Sequence, residues 1–175
     1  MKKLIFTICF VVVALSSYAQ RAAEFKPFEI ELNGGYSFYS AVTIGGYARN
    51  YNAMTYSVEA RYNFQKIPFD LGIRAFATKI PDAYDNSHGY GVDLTADYNM
   101  LFMGKNIIPF IGFGGGMMFC TDSVYHKDGV WHLMPRIGVE LYQHLRIGFN
   151  VDIYGSCDTY STISIGVVFG GSRKK

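Results

Sequence analysis

The stretch MPRIGVELYQHLRIGFNVDIYG, residues 134–155, alternates between apolar and polar side chains along two segments. Its polar face carries Arg136, Glu140 and Arg146, and the opposite face is aliphatic or aromatic. A period of two predicts two antiparallel strands, joined by a tight turn at residues 143–144. Whether the apolar face meets water, the protein interior or lipid decides the class of protein.

Six further stretches alternate in the same way, and almost nothing shows the period of a helix. We therefore predict an all-β fold of eight strands, each close to the roughly 9–11 residues that a tilted transmembrane strand needs. The predicted strands are 28–39, 53–64, 69–78, 89–102, 108–119, 130–142, 145–155 and 162–169.

The predicted connections alternate between short and long along the chain. Short turns fall at 65–68, 103–106 and 143–144, and longer loops at 40–52, 79–88, 120–129 and 156–161. Turns at one rim and loops at the other are typical of a closed up-and-down barrel.

The first 19 residues have the pattern of a signal peptide. Two lysines precede an apolar run that is too short to span a bilayer, and small residues place the cleavage site after Ala19. The alternative is an uncleaved anchor. We expect residues 20–175 to form the barrel domain.

Charge and cysteine content narrow the functions that we expect of the exported chain. Loss of the leader's two lysines from 16 Lys and Arg leaves 14 basic against 14 acidic residues, so no nucleic-acid partner is expected. Cys120 and Cys157 remain, and the sequence does not decide between a disulfide and two free thiols.

Three features place the apolar face against lipid and the polar face inside a membrane barrel rather than the reverse. The lysines of the exported chain fall at strand ends, in turns, in loops or in the tail, and the apolar faces carry no charge. Glycines on the polar face leave room in a narrow barrel for long side chains. Aromatic residues gather near both predicted rims: Phe28, Phe64, Phe69, Phe102 and Phe169 on the turn side, and Phe38, Tyr56, Tyr90, Phe119 and Trp131 on the loop side.

The charged residues of the polar face predict a salt-bridge network that fills the barrel, because arginine bonds several carboxylates at once in a confined space. We expect Arg136, Glu140 and Arg146 near its middle. The full set of candidates is Arg61, Arg74, Arg136, Arg146, Glu29, Glu31, Glu59, Asp70, Asp93, Asp97, Glu140 and Asp152.

With these features, the sequence resembles the small eight-stranded outer-membrane barrels of Gram-negative bacteria, the OmpA-barrel and OmpX-like group. The resemblance covers about residues 27–170 and includes IIPFIGFGGGMMF (107–119) and the closing strand STISIGVVFGG (161–171). It implies an integral outer-membrane protein in contact with outer-membrane lipid. It also implies that Ser164, Gly166 and Phe169 are a signal for the barrel assembly machinery.

We expect a structural or surface-interaction role, with partners bound through loops 40–52 and 120–129. The alternatives are a narrow porin-like pore for ions or very small solutes and, less favoured, a lipid-modifying enzyme. Such a deacylase would need a histidine near a serine on the lipid-facing side. His88, His126 and His144 fall in predicted loops or turns, His132 points inward near the upper rim, and none has a serine two residues on. We therefore expect no catalytic residue, cofactor or metal.

Overall fold

The protein folds as a closed antiparallel barrel of eight strands, as seen in a computed structural model that describes residues 27–42, 48–64, 67–81, 86–100, 106–121, 129–155 and 159–170. Each strand pairs with its sequence neighbours, and β8 closes the barrel on β1. The predicted fold class is therefore confirmed. The strands are β1 (Phe28–Val42), β2 (Ala48–Asn63), β3 (Phe69–Pro81), β4 (Asn86–Asn99), β5 (Ile107–Thr121), β6 (Val130–Leu141), β7 (Leu145–Tyr154) and β8 (Thr159–Gly170).

Six of the eight strands run further toward the loop side than the sequence predicted. β1 and β2 stay paired to Val42 and Ala48, so most of the predicted loop 40–52 is strand. His88, predicted in a loop, lies in β4 opposite Thr121. The amphipathic pattern ends before the strands do, because pairing satisfies backbone groups whichever side chains the strand carries.

At the turn side, β4 and β6 end earlier than predicted, at Asn99 and Leu141. The tight turn also begins one residue early: Tyr142 and Gln143 have positive φ angles of 51° and 62°, and the His144 amide donates to the Leu141 carbonyl at 3.1 Å. Two left-handed residues in succession give a turn whose twist matches that of the flanking strands.

The polar face of the strands lies inside the barrel and the apolar face outside. Asp97 is fully buried whereas Leu94, three residues away, is 67% exposed. Among the charged side chains with described burial, Lys79 near the loop end of β3 is the only exposed one. This is the reverse of a soluble barrel, and so large an apolar surface is not what a soluble monomer presents. No helix in the described ranges is long and apolar enough to cross a membrane.

Outward-facing aromatic rings form a band at each end of the barrel. On the turn side Phe28 packs edge-on to Tyr62 and Phe69 edge-on to Tyr98, with ring centroids 5.2 and 5.1 Å apart. On the loop side Tyr90 stacks on Phe119. The other aromatic residues predicted at the rims are exposed (Phe38, Tyr56, Trp131, Phe169), half-buried (Phe64) or outside the described residues (Phe102).

Candidate functional site

The centre of the barrel interior is an arginine–carboxylate cluster around Asp97. Arg136 donates to both Glu59 carboxylate oxygens at 2.9 Å and from Nε to Asp97 at 2.7 Å. Arg146 bonds to the other oxygen of the same Asp97 carboxylate. Because β2 and β6 lie on opposite sides of the barrel, the Arg136–Glu59 pair bridges the lumen. Thr95 donates a further hydrogen bond to Glu59 at 2.8 Å.

The structure brings only some of the residues predicted at the middle of the network, Arg136, Glu140 and Arg146, into contact. Glu140 is 3.7 Å from Arg146, but the residue that joins Arg136 to Arg146 is Asp97. The ring of Phe110 lies under both guanidinium groups, 3.6 Å from Arg146 Cζ and 5.8 Å from Arg136 Cζ. The alternation of β5 places Phe110 on the inward face, but the sequence analysis did not single this residue out.

On the turn side of this cluster, Arg61 joins the carboxylates of β1. Its Nη1 lies 2.5 Å from Glu31 and its Nη2 lies 3.1 Å from Glu29. Glu140 is 4.0 Å from Arg61. The carboxylates described on this side are those of Glu29, Glu31, Asp70 and Glu140. The cations beside them are Arg61 and Arg146, and Arg146 also bonds to Asp97.

On the loop side, Arg74 donates to Asp93 from Nε at 2.7 Å and lies 3.6 Å from Asp152. His132 is 3% exposed, and its Nε2 lies 3.0 Å from Asp93. The inward position predicted for His132 puts it among these carboxylates. An apolar group of Phe76, Met118 and Tyr154 packs beside it.

Hydroxyl groups form a belt at the loop-side end of the interior. Ser37 bonds to Thr55 and to Thr162, each at 2.8 Å, and Thr55 donates to Thr78 at 3.2 Å. These four residues lie on β1, β2, β3 and β8, so the belt ties four adjacent strands together. The sequence analysis did not single them out, although each lies at an inward position of the alternation.

Glycines hold space for the charged side chains, as at Gly112 and Gly166. A Cβ atom on Gly112 would overlap the Asp97 carboxylate and lie 2.7 Å from the Ala96 carbonyl oxygen. One on Gly166 would overlap the carboxylate of Glu31. Of the residues proposed as an assembly signal, Gly166 is therefore buried, Ser164 bonds to the Gly148 carbonyl at 3.4 Å, and Phe169 faces outward.

Replacing Gly112 with alanine is expected to lower the free energy of unfolding by about 1–3 kcal/mol, the usual cost of overpacking. The added methyl group would displace Asp97 from Arg136 and Arg146. Gly34→Ala is the matched control, since a Cβ there meets no atom within 4 Å. Urea titration of both variants in detergent micelles measures the difference, and equal stabilities would contradict the assigned role of Gly112.

The interior is filled rather than open. Cavities of about 30 Å³ each lie at the turn side, the centre and the loop side, room for one or a few waters. The turn-side and central cavities share no lining residue. Chemically, the arrangement can hold water and fix charge.

Several functional predictions lie outside the described residues or find no site within them. His126, Cys157 and the side chain of Cys120 are not described, and neither are residues 43–47 and 122–128 of the predicted partner loops. In the described ranges no group of three histidine, cysteine or acidic residues is arranged to hold a metal ion. The buried His132 faces carboxylates, and the exposed His144 lies 3.4 Å from the Val168 carbonyl oxygen.

No family model and no curated protein sequence matches the chain. Among solved structures, Neisserial surface protein A covers 83% of this chain and 98% of its own, with 12% identity and a TM-score of 0.67. The outer membrane enzyme PagL is 15% identical and covers 81% of this chain and 98% of its own, with a TM-score of 0.49. Ail of Yersinia pestis is 14% identical and covers 82% of this chain and 100% of its own, with a TM-score of 0.44. The chain thus has a closed eight-stranded antiparallel barrel fold, similar to that of Neisserial surface protein A.

Proposed function

We propose that the protein is an integral outer-membrane barrel with a closed interior and a structural or surface-interaction role. The observation that carries the proposal is the inverted barrel: a belt of exposed apolar side chains surrounds a buried network of charges. Lipid is the solvent that such a belt fits, and barrel closure satisfies every backbone group without water.

The orientation follows from the two ends of the barrel. Short turns face the periplasm and loops face outward in proteins of this architecture, so the ends of β1 and β2 would project from the cell surface. The main chains of β1 and β2 pair up to Val42 and Ala48, so this hairpin would offer paired strands, rather than a long loop, for contact with a partner. We propose surface partners for this hairpin and for loop 120–129, after export through a cleaved leader and insertion by the barrel assembly machinery.

A non-enzymatic role is the simpler proposal, because each of the interior arginines Arg61, Arg74, Arg136 and Arg146 is paired with carboxylates. A pore for ions or very small solutes would need a passage past Arg136, Arg146 and Phe110, which occupy the middle of the lumen. The assembly role of Ser164, Gly166 and Phe169 remains part of the proposal.

The test is to express the full chain in a Gram-negative host and wash the outer membranes with urea. We expect a urea-resistant band whose gel mobility changes on boiling, and no conductance when the purified protein is added to a planar bilayer. A urea-extractable protein without a mobility shift would contradict the membrane barrel. Discrete conductance steps would contradict the closed interior and favour the pore.

A further inference from the structure

The turn-side mouth of the barrel contains a cavity lined by three carboxylates. Glu29, Asp70 and Glu140 converge on it, and Asn99 lies beside Asp70. The three carboxylates are between 1% and 6% exposed. They come from β1, β3 and β6, so the closed barrel is what brings them to one cavity.

Asp70 lacks a cationic partner in the described part of the chain. Its Oδ2 accepts a hydrogen bond from Asn99 at 2.8 Å, but its Oδ1 has no hydrogen-bond partner there, although the residue is only 1% exposed. Directly across the β3–β4 ladder lies Asp97, which Arg136 and Arg146 already neutralise. A buried carboxylate without a cationic partner costs folding free energy unless a cation or a proton neutralises it.

The neighbouring arginines do not meet this need. Arg61 is bonded to Glu29 and Glu31, and Arg146 is closest to Asp97. Glu140 has only the distant contacts of 3.7 and 4.0 Å to these two arginines. Among the residues that the structure describes, the mouth therefore holds more negative than positive charge, with the surplus at Asp70 and Glu140.

We propose that this mouth binds the ammonium group of a small primary alkylamine. An ammonium group offers three N–H donors, which suit the unpartnered Oδ1 of Asp70 and the carboxylate of Glu140. The cavity volume of about 30 Å³ fits one group of that size. Phe64, Ile67 and Pro68 line its apolar side, where an alkyl stem would pack as the stem of a lysine does. Among the described residues, these carboxylates are not arranged as ligands of a metal ion.

The test is calorimetric titration of the folded barrel in a non-ionic detergent with n-butylammonium chloride. We expect saturable binding that Asp70→Asn weakens at least tenfold and Glu140→Gln weakens to a smaller extent. Asp152→Asn, the same change in the loop-side cavity, should bind as the wild type does. Asp70→Asn should fold, because it removes an unpaired buried charge and keeps an acceptor for Asn99, and a mobility shift on boiling verifies this for every variant.

Three results would overturn the proposal. Absence of saturation would mean that a proton alone neutralises Asp70. Unchanged affinity in Asp70→Asn would place the amine elsewhere. Displacement of butylammonium by Ca²⁺ at a lower concentration than that of the amine would make the mouth a metal site. None of these results bears on whether the barrel spans a membrane, so the inference and the proposed function fail separately.

Discussion

Replacing Arg136 with methionine is expected to lower the free energy of unfolding by about 3–5 kcal/mol, the usual cost of removing one partner from a buried ion pair. Arg136 is 9% exposed and makes four hydrogen bonds to the carboxylates of Glu59 and Asp97. Asp97 would retain Arg146, but Glu59 would keep only the hydrogen bond from Thr95. Most of the loss should therefore come from a buried, unpaired Glu59 carboxylate.

A double-mutant cycle separates this cause from lost packing. Arg136→Met combined with Glu59→Gln should recover a substantial part of the lost stability, because the neutral amide removes the unpaired charge. Lys79→Met, which deletes an exposed cation near the loop end of β3, is the control and should change stability by less than about 0.5 kcal/mol. Urea titrations in micelles measure the four proteins of the cycle, including Glu59→Gln alone, and the Lys79→Met control. Additive losses without recovery would mean that charge pairing is not what Arg136 contributes.

Replacing Leu94 with arginine is expected to cost about 2–4 kcal/mol when stability is measured in lipid bilayers, the range found for arginine on the lipid face near the bilayer midplane. Leu94 is 67% exposed and lies in the middle of β4, opposite Ile73 and Gly115 on the neighbouring strands. The large effect would come from hydrocarbon around the side chain, since Leu94 is mostly exposed on the outer face of the barrel. In water the same substitution at an exposed position would change stability by no more than about 0.5 kcal/mol.

Phe28→Arg is the matched control for Leu94→Arg. Phe28 is 70% exposed, as open as Leu94, but it is the first residue of β1 at the turn-side rim. An arginine there reaches the headgroup region, where the cost falls to about 0–1 kcal/mol. Equal, small effects at both positions in bilayers would place the outer face in water and reject the membrane barrel.

The sequence alone determined the number of strands, the face that each strand turns inward and the alternation of turns and loops. A strand has a side-chain period of two, so a residue such as Asp97 or Leu94 is assigned to a face by counting along its own strand. The absence of lysine from the polar strand faces and the excess of glycine on those faces then decided which face is inside. These are local properties, which the order of residues carries.

Only the tertiary structure decided which charges meet. Arg136 bonds to Glu59 across the lumen, 77 residues away and on a strand that does not pair with its own, so neither alternation nor strand register indicates the contact. The burial of His132 beside Asp93 and the isolation of Asp70 at the mouth depend in the same way on closure of the barrel. Closure is a property of all eight strands together, and it sets the distances between inward side chains that lie far apart along the chain.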